Sequence, residues 1–186
     1  MCNSDEIEIV VASAEHKKYV DEILDTITAA AKVRGTGIAK RSPEYVIQKM
    51  CEHKAVLALC HGEFAGFSYI ESWSNKKFVA NSGLIVAPKF RGIGLAKRIK
   101  RRIFDLSREM FREAKIFSLT TDEAVMKMNS ELGYRPVTFP SLTDDEAFWR
   151  GCENCVNYDI LQRYGGTKCL CTGMLYDPAE HVDDGK

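Results

Sequence analysis

Residues 81–111, from Asn81 to Phe111, read NSGLIVAPKFRGIGLAKRIKRRIFDLSREMF, and this stretch decides the fold. Gly83 to Pro88 is an apolar run of strand character. The chain turns through Lys89 to Ala96 and continues as a helix, because Leu95, Ile99, Ile103, Leu106 and Met110 recur every three or four residues. A strand that passes through a glycine-rich turn into a helix gathers free main-chain N–H groups at the positive end of the helix dipole, where an anion is stabilised. The stretch therefore reads as a phosphate cradle. The bland alternative is an ordinary strand-turn-helix joint with a tight turn.

What the turn lacks narrows the ligand. The dinucleotide fingerprint G-x-G-x-x-G is absent, and so is the Gly-Lys-Ser/Thr ending of the nucleotide-triphosphate loop. What stands is R-x-x-G-x-A, formed by Arg91, Gly94 and Ala96, with Gly92 as a further small residue. This pattern resembles the acyl-CoA pyrophosphate loop of the GNAT superfamily of N-acyltransferases. The resemblance implies that Arg91, Gly92, Ile93, Gly94, Leu95 and Ala96 hold the pyrophosphate of acetyl-CoA or another acyl-CoA cosubstrate. It also implies that Ile85 and Val86 bind the pantetheine arm, with the main-chain N–H of Val86 holding the oxyanion.

Working outward, the flanking chain follows the order such a fold requires. A strand over Ile7 to Ala12 precedes a helix in which Tyr19, Ile23, Ile27, Ala30 and Val33 share one face. Gly35-Thr36-Gly37 breaks that helix, and Ser42-Pro43 starts another as N-cap and first helical residue. Ala55 to Cys60 and Phe64 to Trp73 read as an antiparallel hairpin around His61-Gly62-Glu63. Beyond the organising helix come a buried strand at Ile116 to Thr120, a short helix to Leu132 and a strand from Tyr134 to Phe139. The expected fold class is α/β (α+β): a GNAT fold with a central mixed, mostly antiparallel twisted sheet flanked by helices. Residues 1–186 are expected to form one such domain, with 140–186 a cysteine-containing C-terminal extension packed on it.

Composition excludes several functions. The 186 residues are 45% apolar, enough for a full core. Lysine plus arginine and aspartate plus glutamate both number 26, so no overall basic field draws the chain to nucleic acid or membrane. The basic run Lys97-Arg98 and Lys100-Arg101-Arg102 reads as a solvated helix face opposite the apolar stripe, with Lys97 or Arg98 near the CoA phosphates. The polar first residues are unlike a signal peptide, and no apolar run approaches the roughly 20 residues of a membrane span, so a cytoplasmic protein is expected. Seven cysteines, an odd number, suggest thiols or metal ligands rather than a disulfide framework.

A closer resemblance lies within the superfamily. Gly37-Ile38-Ala39-Lys40-Arg41-Ser42-Pro43-Glu44, Phe117-Ser118-Leu119-Thr120-Thr121 and Glu131-Leu132-Gly133-Tyr134 are similar to segments of the acyltransferase domain of N-acetylglutamate synthases. Asn157-Tyr158 and Gln162-Arg163 are a looser match to the same family's N-Y-x-x-R. The resemblance implies an amine acceptor, the α-amino group of glutamate or a related amino acid, as in arginine biosynthesis. A substrate with two carboxylates needs fixed cations, and the planar fork of arginine suits them, which makes Arg41 and Arg163 candidates. Their bland reading is a helix-start pair with Glu44 and a surface charge. Ser42 reads more securely as an N-cap than as a ligand.

Attack by an amine needs a base. Glu71, Asp122 and Glu123 are candidates, each equally explicable as a solvated charge. Many GNAT enzymes place a tyrosine four residues before the glycine of their Gly-Phe/Tyr pair to protonate the departing thiolate. Counting back from Gly133, that position is Asn129, whose amide donates a hydrogen bond but no proton.

In the tail, Cys152 and Cys155 form C-x-x-C, and Cys169 and Cys171 form C-x-C. In a strand, residues two apart share a face, so a four-thiolate structural zinc site is one reading. Buried core cysteines and a redox thiol are the others. The expected partners are a small-molecule amine and neither nucleic acid nor membrane, with assembly as a homodimer left open. Other acceptors, such as a peptide, lysine or polyamine, and a non-catalytic acyl-CoA-binding module are the competing functions.

Overall fold

The computed structural model describes residues 3–34, 39–73 and 75–184. The Gly35-Thr36-Gly37 break, and Gly37 and Ile38 of the synthase-like loop, lie outside the described residues. Strand β1 (Ile7–Val11) leads through a 3-10 stretch, Ala14–Tyr19, into helix α1 (Val20–Arg34). Helix α2 (Pro43–Cys51) starts where the sequence marks it: Ser42 caps it, its hydroxyl accepting the Tyr45 N–H at 3.2 Å. Strands β2 (Ala55–Cys60) and β3 (Glu63–Ser72) are joined by His61 and Gly62. Both joining residues have positive φ, 51° and 79°, as the tightest hairpin turns demand.

Then follow β4 (Phe78–Val86), α3 (Leu95–Met110), β5 (Lys115–Thr120), α4 (Glu123–Glu131) and β6 (Arg135–Val137), and after them α5 (Glu146–Arg150), α6 (Tyr158–Arg163) and β7 (Thr172–Tyr176). The seven strands form one sheet in the order β1-β2-β3-β4-β5-β7-β6, with β4 and β5 parallel and every other neighbouring pair antiparallel. Several elements differ from the sequence reading: β6 is shorter than the expected Tyr134 to Phe139, α5 and α6 are additions, and two strands depart more consequentially. Strand β4 begins at Phe78, before the apolar run at Gly83, because Phe78 to Ala80 pair with β5. The tail adds β7 to the interior of the sheet, where it pairs Ile116↔Tyr176 on one side and Arg135↔Leu175 on the other.

Strand alternation divides the core between the two faces. Along β2, Val56, Ala58 and Cys60 face α3, and Ala55, Leu57 and Leu59 face α1 and α2. The α3 stripe of Leu95, Ile99, Ile103 and Leu106 is buried against the first face, while Met110, at 40% exposure, lies beyond it. Ile23, Ile27, Val46 and Met50 pack on the second face. A third cluster joins Phe117, Phe139, Leu142, Leu161 and Leu175 beneath the tail, with Trp73 stacked on Phe117 at 5.8 Å. Among the described residues no helix is long and apolar enough to cross a membrane.

The basic run corrects the sequence reading. Lys97 pairs with Glu131 at 2.5 Å, Arg101 with Asp105 at 3.4 Å and Arg102 with Glu109 at 3.1 Å, as a solvated face would. Arg98 instead donates to the carbonyls of Ser4 and Ile7 at 2.6 and 2.8 Å, pinning β1 to α3. Lys100 is buried, 3% exposed. The buried arc of α3 is wider than its apolar stripe, because Phe104 also packs on Tyr134 and Tyr176, at 5.7 and 4.9 Å. The expectation of thiols or metal ligands is likewise corrected at Cys60, which is disulfide-bonded.

Candidate acyl-CoA and acceptor site

The site begins where two strands part. The parallel pairing of β4 with β5 runs from Phe78↔Lys115 to Ala80↔Phe117 and stops, although β4 continues to Val86 and β5 to Thr120. The wedge between them is a cleft in two parts. An outer cavity of about 250 Å³ is lined by the turn residues Arg91, Gly92, Gly94, Leu95 and Ala96, with Val86, Val125 and Met128. An inner cavity of about 230 Å³ holds Arg41, Tyr69, Glu71, Asn81, Lys100, Ser118 and Thr120 among its walls. Leu84 and Val125 line both, so the two are continuous.

The turn is built for close approach. Gly92 and Gly94 have φ of +81° and +77°, and a Cβ on either would point into open space. Their need is therefore conformational, and the space they leave is available to a ligand. Gly94 is the N-cap of α3 and offers no side-chain cap, so the first N–H groups of that helix have no side-chain acceptor there. Arg91 Nε donates to the Val86 carbonyl at 3.1 Å, tying the turn to the strand end.

Strand register sets which main-chain groups of β4 face the cleft. The Ala87 N–H donates to the Ala65 carbonyl at 2.9 Å, which makes that pair a hydrogen-bonded one across β3 and β4. Pairs alternate, so Val86, opposite Gly66, is a non-hydrogen-bonded position whose N–H and C=O turn away from β3. Ile85, opposite Phe67, spends its main-chain groups on β3, and its side chain is 4% exposed. Both Ile85 and Val86 line the outer cavity, but only Val86 has main-chain groups turned away from β3. A bulge lies just before: Phe67 pairs with Ile85 and Tyr69 with Ser82, so β4 carries one extra residue, with Gly83 at φ +64°.

Arg41 and Glu71 meet at the inner cavity. Arg41 Nη2 lies 3.1 Å from Glu71 Oε1, and Arg41 Nε donates to the Tyr69 hydroxyl at 2.8 Å. The guanidinium also covers the Tyr45 ring at 5.1 Å. Burial works against the Arg41 charge, but Tyr69 and Glu71 outweigh it and raise its pKa. Burial, with Glu71 nearby, also raises the pKa of Tyr45 and Tyr69, so both remain neutral phenols. Tyr69 stands two residues from Glu71 on β3, on the same face, a signal present in the sequence but not singled out from it.

Of Arg163, Asp122, Glu123 and Asn129, only Asp122 lines the cleft, in its outer cavity. Arg163 is on α6 with its side chain 73% exposed, paired with Asp159 one helical turn away, and it lines neither cavity. Asp122 caps α4 by accepting the Ala124 and Val125 N–H groups at 2.9 and 3.2 Å, and Glu123 is exposed. Asn129 is fully buried, donates to Met174 Sδ at 3.6 Å, and lines neither cavity.

The four tail cysteines come near one another without forming the expected zinc site. Cys152, Cys155 and Cys171 line the inner cavity. Asn157 N–H donates to Cys155 Sγ at 3.5 Å, and Cys169 Sγ donates to the Asn157 carbonyl at 3.7 Å. Burial, reinforced by the neighbouring thiols, pushes Cys152 up to about 11 and Cys171 to about 12. Among the described residues no three His, Cys, Asp or Glu side chains are grouped to hold a metal ion, which corrects the zinc reading. The reason is local: Cys169 and Cys171 precede β7 rather than lying in it, and Cys152, Cys169 and Cys171 pack into the aromatic tail cluster as small side chains.

Comparison with solved structures finds this fold among acetyltransferases of the GNAT superfamily. The chain is similar to N-acetylglutamate synthase from Neisseria gonorrhoeae, complexed with coenzyme A and N-acetyl-glutamate, at 17% identity and a TM-score of 0.66. That match covers 92% of this chain and 35% of the other, so this chain spans about a third of the synthase's length. It is also similar to Rv2747 from Mycobacterium tuberculosis in complex with CoA, at 14% identity and a TM-score of 0.65, covering 91% of this chain and 98% of that one. A GNAT superfamily phosphinothricin acetyltransferase from Sinorhizobium meliloti, in complex with AcCoA, matches at 13% identity and a TM-score of 0.62, covering 92% and 88%. No protein-family model and no curated protein matches the chain.

Proposed function

We propose that the chain is an acyl-CoA-dependent N-acyltransferase whose acceptor is the α-amino group of glutamate or a related acidic amino acid. The observation that carries this reading is the Arg41–Glu71 pair at the inner end of a cleft whose outer end is an R-x-x-G-x-A turn. An α-amino acid presents an ammonium and a carboxylate side by side, and the pair offers one group of opposite charge to each. The similarity to a synthase complexed with coenzyme A and N-acetyl-glutamate supports the same acceptor class.

In this reading the pyrophosphate rests on the N–H groups that follow Gly92 and Gly94, and the pantetheine arm lies in the wedge along β4. Glu71, directly or through one water, takes a proton from the acceptor ammonium. The neutral amine then attacks the thioester carbonyl, whose oxygen gains charge beside the inward-facing Val86 N–H. Collapse of the tetrahedral intermediate breaks the C–S bond as the nitrogen gives up its second proton to water, leaving the amide and a CoA thiolate. Water supplies the thiol proton, because the Asn129 amide is engaged with Met174 and the Tyr69 phenol of the inner cavity holds its proton tightly.

The test is thiol release from acetyl-CoA with each amino acid in turn. Glutamate is expected to turn over; Arg41→Ala is expected to raise its KM by about tenfold or more, the loss of one charge-assisted contact. Glu71→Gln is expected to lower kcat by roughly 100-fold, the low end for a general base. If CoA binds and every amino acid is inert, the reading fails.

A further inference from the structure

Lys100 lines the inner cavity at 3% exposure, yet among the described residues its ammonium has no hydrogen-bond or ion-pair partner. Its Nζ stands 4.8 Å from the centre of the Tyr134 ring. The polar groups nearby are committed to one another. The Asn81 amide donates to Ser107 Oγ at 2.8 Å and accepts from the Tyr134 hydroxyl at 3.0 Å, and Ser107 donates to the Ile103 carbonyl at 2.8 Å. Glu71, the carboxylate of this cavity, is held by Arg41.

A buried ammonium without an anion costs stability, and the cost is offset only when an anion arrives. Burial alone pushes the Lys100 pKa down to about 7, so near neutral pH the empty site holds the group only partly charged, and an arriving carboxylate favours the ammonium, which takes up a proton from solvent. The position within the cleft is also specific. Lys100 shares the cavity wall with Ala80, Asn81 and Ser118, at and just beyond the last β4–β5 pair, which is the root of the wedge. Arg41 and Glu71 belong to the opposite side, where α1 and α2 cover the sheet.

We propose that Lys100 binds a substrate carboxylate at the root of the cleft, so that one of the two substrates carries an acid group beyond the one Arg41 receives. This deepens, and rests on, the acyltransferase reading. The carboxylate comes either from the far end of a dicarboxylic acyl chain on CoA or from the side chain of the acceptor. The chemistry at Lys100 is the same in both cases.

The experiment compares wild type with Lys100→Met, a substitution of similar length without charge, on two matched pairs. One pair is succinyl-CoA against acetyl-CoA. The other is glutamate against 2-aminopentanoate, the same chain without its terminal carboxylate. Each pair is measured by kcat/KM and by equilibrium titration of the protein, the amino acids in the presence of CoA. Wild type is expected to prefer the carboxylate-bearing member of one pair, and in Lys100→Met that preference ratio is expected to fall about 10- to 100-fold, the worth of one charged hydrogen bond. Loss in the first pair assigns the acyl chain as the source, and loss in the second assigns the acceptor. No preference in wild type, or an unchanged ratio in the variant, overturns the proposal. If nothing turns over, the acyltransferase reading has failed, and the titrations still decide the question at Lys100. Circular dichroism checks folding, and Lys100→Gln replaces the methionine variant if that one does not fold.

Discussion

Gly83 is the position where one added methyl group does most to the site. Its φ of +64° is strained for any other residue, and a Cβ there would lie 2.2 Å from Cε1 and 2.7 Å from Cδ1 of Tyr69. Tyr69 is the residue that accepts from Arg41 Nε, so the clash is transmitted to the inner end of the cleft. Gly83→Ala is expected to cost about 2–4 kcal/mol, from backbone strain plus overpacking, and to raise the acceptor KM. Gly92→Ala, at φ +81° in open space, is expected to cost about 1–2 kcal/mol from strain alone and to leave the acceptor KM near its wild-type value. Urea unfolding with steady-state kinetics checks both; equal costs and equal KM values for the two variants would contradict the argument. The contrast also marks what a sequence discloses at this scale. Gly92 and Gly94 are legible because their role is local and repeats as a short motif. The need at Gly83 is set by a tyrosine across a bulge on another strand, and spacing along the chain carries no trace of it. Lys100 was hidden for a similar reason: within KRIKRR it looks like its solvated neighbours, and only the extra cover from Tyr134 and Tyr176 buries that edge of α3.

Elements were legible in proportion to how regular their patterns are. The hairpin, the capped start of α2 and the apolar stripe of α3 follow directly from period and turn chemistry. Strand β4 was cut short because Asn81, Ser82 and Gly83 interrupt its hydrophobic run, although Asn81 is buried by its bonds to Ser107 and Tyr134. Strand β7 was hidden behind the cysteines that precede it. It joins β5 to β6 and contributes Leu175 to the tail cluster. Deleting residues 171–184 would leave both neighbours with unpaired edges and open the cluster around Phe117. The expected outcome is loss of cooperative thermal unfolding, followed by circular dichroism, with aggregation on expression. A soluble truncated chain with a sharp transition would show that β7 is dispensable.

At the scale of the whole molecule, buried titratable groups give stability a peaked dependence on pH. Lys100 has a folded value of about 7 against an ordinary 10.5. Between these the unfolded chain holds a proton that the folded chain does not, so stability rises with pH, by up to about 1.4 kcal/mol per unit. Cys152 and Cys171 have folded values of about 11 and 12 against an ordinary 9.0, so above pH 9 the folded chain holds the extra protons and stability falls. Chemical denaturation across this range is expected to show a maximum near pH 9, and Lys100→Met is expected to flatten the rising limb. A curve that declines steadily from neutral pH would contradict the burial of Lys100. The order of strands in the sheet also bears on how the protein is made. The wedge that separates β4 from β5 is braced on its β5 side by β7, which leaves the ribosome after the other six strands of the sheet described here. A nascent chain that has already exposed the phosphate turn and both walls of the cleft still lacks the strand that holds one wall in place. Competence to bind a ligand should therefore appear abruptly, once β7 has been made, rather than grow with chain length.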